Sequence, residues 1–318
     1  MSHYPRGVLC GGLLLLTFMA LATSNGVVGT SVPALAAALS PTPLGGGHGR
    51  LVFDSGIGGG GGGVITVLDL TIGQQHDLPD TNNDGHGFAW SPDGKYIAFT
   101  GTDRDGLYRI DVIDVSTGKQ RTLPNINGMN PVWLPDGQHI AFNTEDGDLV
   151  GWQIFITDVD GGNTHDLSHL SGDHYYPAWS LDGKHIAYND NYGHLFVMNG
   201  DGSNPVNLSH SAGRDSAPAW SPDGKHIAFS SDRDGHHQIY VMNSDGTDQH
   251  NLSNSWTDDY APNWSPDGQM MAFYTDFYDP KVGHGTFPIT FMNPDGSNQH
   301  RLLIKGIPAD GTYPQWQP

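Results

Sequence analysis

The chain has 318 residues, of which 36% are hydrophobic and 15% charged, and its 34 acidic against 14 basic residues give a formal net charge of −20. Such a surface repels phosphate backbones and anionic lipid, because nucleic-acid binding depends on neutralising phosphates with cations. We therefore expect no nucleic-acid partner. The 44 glycines and 21 prolines indicate many turns and favour an all-β fold over a helical one.

The first 22 residues have the order typical of a secretory signal peptide. Arg6 is followed by an apolar run at residues 8–21 and by an Ala-Leu-Ala cleavage motif that ends at Ala22. Residues 1–22 are therefore predicted to be removed, which places the protein outside the cytoplasm: in a periplasm, at a cell surface or secreted. The alternative is an uncleaved membrane anchor, although the run is shorter than the ~20 residues of a spanning helix. Residues 23–50, rich in Ala, Pro and Gly, are predicted to form a flexible tether.

A motif of tryptophan followed by an Asp-Gly turn recurs through the rest of the chain. The successive tryptophans are 43, 46, 41, 44 and 52 residues apart, close to the ~40–45 residues of a four-stranded propeller blade. They are Trp90, Trp133, Trp179, Trp220, Trp264 and Trp316. The spacing predicts six blades within residues 51–318.

Each repeat carries the signals of four antiparallel strands. In the unit led by Trp220, the predicted strands are residues 218–220, 226–229, 238–242 and 250–252. They are rich in β-branched and aromatic residues and are separated by turns of Pro, Asp, Asn and Gly. This pattern predicts a meander, in which each strand pairs with the next.

These motifs resemble the WD-repeat-like units of the TolB propeller family. The resemblance rests on Pro-Ala-Trp-Ser-Pro-Asp-Gly-Lys-His-Ile-Ala-Phe, which begins at Pro218, and on Ile-Tyr-Val-Met-Asn, which begins at Ile239. It covers residues 51–318 and implies a propeller. TolB itself carries an α/β domain before the propeller, whereas here only the tether precedes the first blade. The resemblance is therefore to the propeller part alone.

The two ends of the repeat region complement each other. Residues 51–79 align with the later strands of a blade but lack the tryptophan strand, and Tyr313–Trp316 is a tryptophan strand with no later strands. A C-terminal strand that completes the first blade leaves neither end as a bare sheet edge. The predicted fold is thus an all-β, six-bladed propeller of four-stranded antiparallel blades, closed by the C-terminal strand.

The loops of a propeller divide between two faces of the disc. The turns after the first and third strands of each blade form what we call the first face, and here they repeat almost unchanged. The turns after the second strands and the blade-to-blade connections form the second face, and here they vary, as binding loops do. We predict a ligand-binding site at the tunnel mouth on the second face, formed by Asp84, His86, Asp173, His174, Tyr175, Tyr176, Asp215, Trp256, Asp259 and Tyr260.

A divalent metal is the one cofactor that the sequence leaves open, because imidazole and carboxylate groups suit several such ions. Eight histidines fall in or beside second-face loops: His86, His169, His174, His194, His210, His236, His237 and His284. The alternative is a hydrated acidic rim whose side chains cap turns. Asp80–Gly85 matches the start of a calcium loop, but Ser91 stands where its bidentate Glu belongs.

Two functions follow from this reading. The first is a non-catalytic scaffold, expected to be monomeric, that binds a protein, peptide or carbohydrate, and no catalytic residue is assigned to it. The second is a metal-dependent carbohydrate lyase or hydrolase with its site in the tunnel, since some proteins of this fold resemble such lyases. Three loop histidines that converge at one point would favour the enzyme, and scattered histidines would favour the scaffold.

We predict that export is followed by cleavage near Ala22, because a signal peptidase recognises a basic residue, an apolar run and a small-residue motif in this order. Intact-mass measurement of the exported protein checks this. A species that begins near residue 23 is expected, and one that retains Met1 would contradict the prediction.

Overall fold

The computed structural model describes residues 49–55, 63–79, 81, 83–103, 105–145, 151–168, 172–209, 212–279, 284–304, 307–308 and 311–318. For residues 83–86, 278–279, 284–285, 304 and 307–308 it describes the backbone alone. The predicted signal segment and all but the last two residues of the predicted tether lie outside these ranges. The described residues contain no helix, and therefore none of the length and apolarity that a membrane span requires.

Twenty-seven strands make up the described chain. In chain order they are β1 (Arg50–Asp54), β2 (Ile65–Asp69), β3 (Gln74–Asp77), β4 (Asn83–Trp90), β5 (Tyr96–Thr102), β6 (Tyr108–Asp114), β7 (Gln120–Thr122), β8 (Met129–Trp133), β9 (His139–Glu145), β10 (Trp152–Asp158), β11 (His165–Asp166), β12 (His174–Trp179), β13 (His185–Asp190), β14 (Leu195–Asn199), β15 (Val206–Asn207), β16 (Asp215–Trp220), β17 (His226–Ser231), β18 (Gln238–Asn243), β19 (His250–Asn251), β20 (Asp258–Trp264), β21 (Met271–Asp279), β22 (His284–Thr286), β23 (Ile289–Met292), β24 (His300–Arg301), β25 (Leu303–Ile304), β26 (Ile307–Pro308) and β27 (Thr312–Trp316).

The strands form the six predicted blades, each an antiparallel meander. From the tunnel outward the blades are β27-β1-β2-β3, β4-β5-β6-β7, β8-β9-β10-β11, β12-β13-β14-β15, β16-β17-β18-β19 and β20-β21-β23-β24. We number them 1 to 6 in this order. The prediction of an all-β, six-bladed propeller is confirmed.

Neighbouring blades are held together by a contact between each inner-strand tryptophan and a small residue of the blade before it. In the Ile-Ala-Phe second strands, Ile and Phe point to one side of the sheet and Ala to the other, because side chains alternate along a strand. The alanine leaves room for the next blade's indole: Ala98 clusters with Trp133, and Ala228 with Trp264. Six such clusters, one for each pair of adjacent blades, form the core of the ring.

The ring closes through the C-terminal strand, as the sequence predicts. β27 pairs antiparallel with β1, with Leu51 opposite Trp316. The Trp316 indole is 9% exposed and shares a core cluster with Ala272 of blade 6. It also stacks on Phe291, with ring centroids 5.2 Å apart. The last tryptophan therefore makes the same contact as the others and joins blade 6 to blade 1.

The first-face turns are fixed by their own side chains. In blade 5, Ser221 Oγ donates to Asp223 Oδ1 at 2.6 Å and accepts the His226 N–H at 3.0 Å. The same arrangement in blade 4, led by the hydroxyl of Ser180, lowers the pKa of Asp182 to about 2. These carboxylates stabilise turns, as expected of a repeated structural element.

The second face carries two hairpins that the sequence reasoning missed. β22 pairs with the extended end of β21, and β25 pairs with β26 in the connection from blade 6 to blade 1. Both lie on the side of the disc where loop length varies. The first face therefore has uniform turns, whereas the second face carries these additional hairpins.

Replacing Trp316 by Ala is expected to lower the free energy of unfolding by about 3–5 kcal/mol, because it removes a buried indole from the closing seam. The matched control is Trp256→Ala, since Trp256 is 78% exposed and its loss should change stability by less than about 0.5 kcal/mol. Urea unfolding of both variants measures the difference. Equal stabilities would show that the C-terminal strand does not close the ring.

Candidate functional site

Each of the six inner strands bends at one residue, and that residue occupies the equivalent position in every blade. This residue has a positive φ between 50° and 54° in every blade. The six positions are Gly87, Asn130, Tyr176, Ala217, Ala261 and Tyr313. A left-handed conformation costs a residue with a Cβ about 1–2 kcal/mol. Other interactions in the fold must therefore offset the conformational free energy of these bends.

Hydrogen bonds between blades hold these bends. At three seams, the polar residue that follows the Ile-Ala-Phe run of one blade accepts the N–H of the bent residue in the next blade. Thr100 Oγ1 accepts from Asn130 at 3.0 Å, Asn143 Oδ1 from Tyr176 at 3.3 Å, and Ser230 Oγ from Ala261 at 3.0 Å. At these seams the polar position at the end of the second strand thus holds the bend.

Two tyrosines at bent positions meet across the tunnel. Tyr313 belongs to blade 1 and Tyr176 to blade 4, which stand on opposite sides of a six-bladed ring. Burial first, and then the neighbouring Tyr176 and Tyr274 phenols, raise the pKa of Tyr313 well above its ordinary value. Tyr313 therefore stays neutral at physiological pH, and both tyrosines lie where the inner strands bend.

Aromatic rings continue from this pair toward both sides of the second face. On one side Tyr176 lies 6.5 Å from Tyr175, which lies 6.4 Å from Trp152. On the other side Tyr313 lies 5.6 Å from Tyr274, and Tyr274 stacks on Tyr260 at 5.4 Å. Of the predicted site residues, the structure thus brings Tyr175, Tyr176 and Tyr260 into one aromatic system.

The predicted acidic residues Asp215 and Asp259 occupy equivalent positions two residues before the bend, and both are 1% exposed. Asp215 forms an ion pair with Arg233 at 2.9 Å and accepts from Ser209 Oγ at 2.7 Å. The Arg233 guanidinium also stacks over the Tyr240 ring at 4.5 Å. Asp215 therefore fastens the seam between blades 4 and 5.

Asp259 accepts hydrogen bonds from Ser255 Oγ at 2.7 Å and Thr275 Oγ1 at 2.8 Å but has no cationic partner among the described residues. Burial raises its pKa, and the surrounding hydroxyls oppose that rise only in part. His174 takes the same position in blade 4, with Nδ1 3.2 Å from Gln153 Oε1. Burial lowers the pKa of His174, which favours the neutral imidazole.

The remaining predicted site residues are dispersed. Asp173 Oδ1 accepts the Trp152 backbone N–H at 2.8 Å and so holds the start of β10. Trp256 is 78% exposed at the rim between blades 5 and 6, where its ring meets Phe277 edge-on at 5.8 Å. Asp84 and His86 lie in β4, and their side chains fall outside the described part of the chain.

The four second-face histidines with described side chains have separate environments. His174 contacts Gln153, His194 lies 2.9 Å from Asp190, His236 contacts the Ser255 carbonyl, and His237 packs on Tyr260. Within the described residues, no three His, Cys, Asp or Glu side chains are grouped as a metal would need. Part of the calcium-loop match, residues 80 and 82, lies outside those residues.

Below the tyrosine pair the tunnel widens into a cavity of about 510 Å³ that opens on the first face. The bent residues form its floor, and the first-turn prolines such as Pro222 and Pro266 form its rim. Sequence reasoning missed this compartment because it treated the first-face turns as purely structural. The recurring Pro-x-Trp-x-Pro pattern was the available signal.

The two buried carboxylates are expected to respond differently to neutralisation. Asp215→Asn leaves Arg233 without its charge partner and should lower stability by about 3–5 kcal/mol. Asp259→Asn removes a carboxylate whose raised pKa makes its ionised form unfavourable in the folded state. The free-energy cost of ionising Asp259 is present at pH values above its pKa in the folded protein and disappears as the pH falls below 3.8. The unfolding free energy of Asp259→Asn should therefore lie within about 1 kcal/mol of that of the native protein at pH 7.

Urea unfolding of both variants at pH 7 measures this difference. Similar losses in the two variants would mean that Arg233 does not depend on Asp215 for its charge balance.

Comparison with solved structures shows the same fold in three proteins of different context. TolB from Acinetobacter baumannii is 20% identical with a TM-score of 0.69, over 85% of this chain and 67% of that chain. A chain of the nidogen–laminin complex is 13% identical with a TM-score of 0.63, over 85% and 98%. An oligogalacturonate lyase in complex with manganese is 17% identical with a TM-score of 0.53, over 81% and 74%. At these identities the likeness concerns the fold alone.

No curated protein sequence matches the chain. The sequence profile of the TolB beta propeller domain matches it twice, over residues 59–193 and 188–318. Together the two matches cover most of the chain and all of blades 2 to 6. The protein therefore belongs to the TolB β-propeller family.

Proposed function

We propose that this protein is an exported, non-catalytic scaffold whose second face binds a protein partner. The observation that carries the proposal is the exposure of aromatic side chains on that face. Trp256 and Tyr192 are 78% and 73% exposed, the two highest values among the large apolar and aromatic side chains that the structure describes. Trp and Tyr dominate the binding energy of protein interfaces, and exposing them without a partner is unfavourable.

Partly buried aromatic side chains accompany these two residues on the second face. We call the set Trp152, Tyr175, Tyr192, Trp256, Tyr260 and Phe277 the second-face arc. Neighbouring rings fix several of its members, such as Tyr260 on Tyr274 and Trp256 on Phe277. Rings that are already immobilised lose little conformational entropy on binding. The arc is thus suited to anchor the side chains of a partner.

The acidic residues have a different role in this proposal from the one that the sequence suggested. Asp215 and Asp259 are buried beneath the mouth, where they support the loops from below. Exposed carboxylates such as Asp276 remain for contact with a partner. With the net charge of −20, they favour a basic partner and predict binding that weakens as salt rises.

Relatives of the same fold support a protein ligand without identifying it. The nidogen–laminin structure is a complex between proteins, and the likeness to TolB places the chain in a family of propellers. The predicted signal peptide at residues 1–22 suits a partner outside the cytoplasm.

A metal-dependent carbohydrate lyase is the second candidate, favoured by the likeness to the manganese-bound oligogalacturonate lyase. The separate partners of the four described loop histidines argue for the scaffold instead. Metal analysis of the purified protein separates the two. A stoichiometric divalent ion together with cleavage of oligogalacturonate would establish the enzyme and overturn the scaffold proposal.

The binding face is tested with a photo-crosslinking amino acid placed at two exposed positions of blade 4. Tyr192 lies on the second face and is 73% exposed, and Leu181 lies on the first face and is 64% exposed. In cells of the source organism, the crosslinker at position 192 is expected to form a discrete protein adduct, and the matched control at 181 is not. The adduct should be lost when Trp256→Ala is added. An adduct from position 181 alone would mean that the partner binds the first face.

A further inference from the structure

The first-face cavity differs from the aromatic second face in the chemical groups that line it. It extends from the ring of bent residues, including Tyr176 and Tyr313, to the proline rim, and it holds about 510 Å³. This volume is within the range of small-molecule sites. Its walls are the free edges of the six inner strands, so the backbone of these strands determines what it can bind.

The strand register shows which backbone groups face the tunnel. In blade 5, the Ser221 N–H donates to the His226 carbonyl of the second strand at 2.9 Å, and Ala219 pairs with Ala228. Hydrogen-bonding direction alternates along an antiparallel strand, so the C=O of Pro218 and the N–H and C=O of Trp220 point away from the second strand and into the tunnel. Blade 1 confirms this direction, because the Trp316 N–H reaches Asn263 Oδ1 of the neighbouring inner strand at 3.1 Å.

Proline removes most of the hydrogen-bond donors from this edge. The tunnel-facing residue two positions before each tryptophan is proline in every blade except blade 2, where it is Phe88. The rim residue two positions after each tryptophan is also proline, except Leu181 in blade 4. Proline keeps its carbonyl but has no N–H. Counting the tryptophan and the residue two positions before it, five of the six inner strands therefore present two carbonyls for one N–H.

From this geometry we propose that the first-face cavity binds an organic ammonium ion on an alkyl chain, such as a linear diamine. The carbonyl-rich edges and the phenol oxygens of Tyr176 and Tyr313 accept the ammonium N–H groups. The proline and alanine surfaces contact the methylene chain, and the aromatic rings of the floor attract the cation. The net charge of −20 raises the local concentration of such a ligand.

Other ligand classes fit these walls less well. A neutral apolar molecule would cover the carbonyls without replacing their hydrogen bonds to water, which costs free energy for each buried acceptor. An anion would meet carbonyl oxygens and a strongly negative protein. The site is separate from the second-face arc, so it neither requires nor contradicts the proposed function.

Isothermal titration calorimetry with a series of matched probes tests the ligand class on the native protein. The probes are 1,5-diaminopentane, 1-pentylamine, 1-pentanol and pentanoate. Both amines are expected to bind at one site and at least about tenfold more tightly than the alcohol, because charge-assisted hydrogen bonds are stronger than neutral ones. Equal binding of amine and alcohol would overturn the proposal, as would the absence of amine binding at millimolar concentration. Binding of calcium chloride that displaces the amine would assign the carbonyls to an inorganic ion instead.

The location is tested by restoring donors to the tunnel edge. The variant Pro135→Ala, Pro222→Ala, Pro266→Ala adds three N–H groups at the rim and should weaken amine binding several-fold. The control Pro205→Ala changes an exposed proline outside the cavity and should not. The second-face variant Tyr175→Ala, Trp256→Ala should also bind the amine normally. Loss of amine binding in the second-face variant, together with retained binding in the rim variant, would show that the amine binds the second face and would overturn the proposed location. Melting temperatures verify that each variant folds.

Discussion

The contact between each inner-strand tryptophan and the small residue of the preceding blade is the interaction on which the remaining structure depends. A four-stranded blade cannot cover both of its own faces, and the contact between Trp264 and Ala228 shows how adjacent blades solve this. Repeated around the disc, it needs a last member that returns to the first blade. Trp316 against Ala272 supplies it. The C-terminal strand is thus joined to blade 6 by packing and to blade 1 by strand pairing.

The six inner strands also share a bend, and the bent residues line one end of the tunnel cavity. Left-handed residues at six equivalent positions turn each strand, and hydrogen bonds such as Asn130 N–H to Thr100 Oγ1 hold them across the seams. In blades 1 and 4 the bent residue is tyrosine, and these two side chains meet across the tunnel. The bends lie between an aromatic mouth on the second face and a carbonyl-lined cavity on the first.

The fold could be predicted from the sequence because its determinants are local and repeated. The tryptophan spacing gave the blade number, and the unmatched strands at residues 51–79 and 313–316 gave the closure. The site could not be predicted to the same depth, because it depends on contacts between distant residues. Nothing in the local sequence shows that Tyr176 and Tyr313 meet, or that Asp215 pairs with Arg233. The hairpins of β22 and of β25–β26 interrupt the repeat and carry no repeated signal.

We propose different roles for the two faces: structural turns and a small-molecule cavity on the first, and a protein-binding arc on the second. Hydrogen–deuterium exchange of the protein with and without its crosslinked partner tests this division directly. Protection is expected in second-face segments 172–176, 190–194, 232–237 and 254–260, with first-face segments 91–95, 134–138 and 221–225 unchanged. Protection confined to the first-face segments would contradict the central claim that the second face is the binding surface.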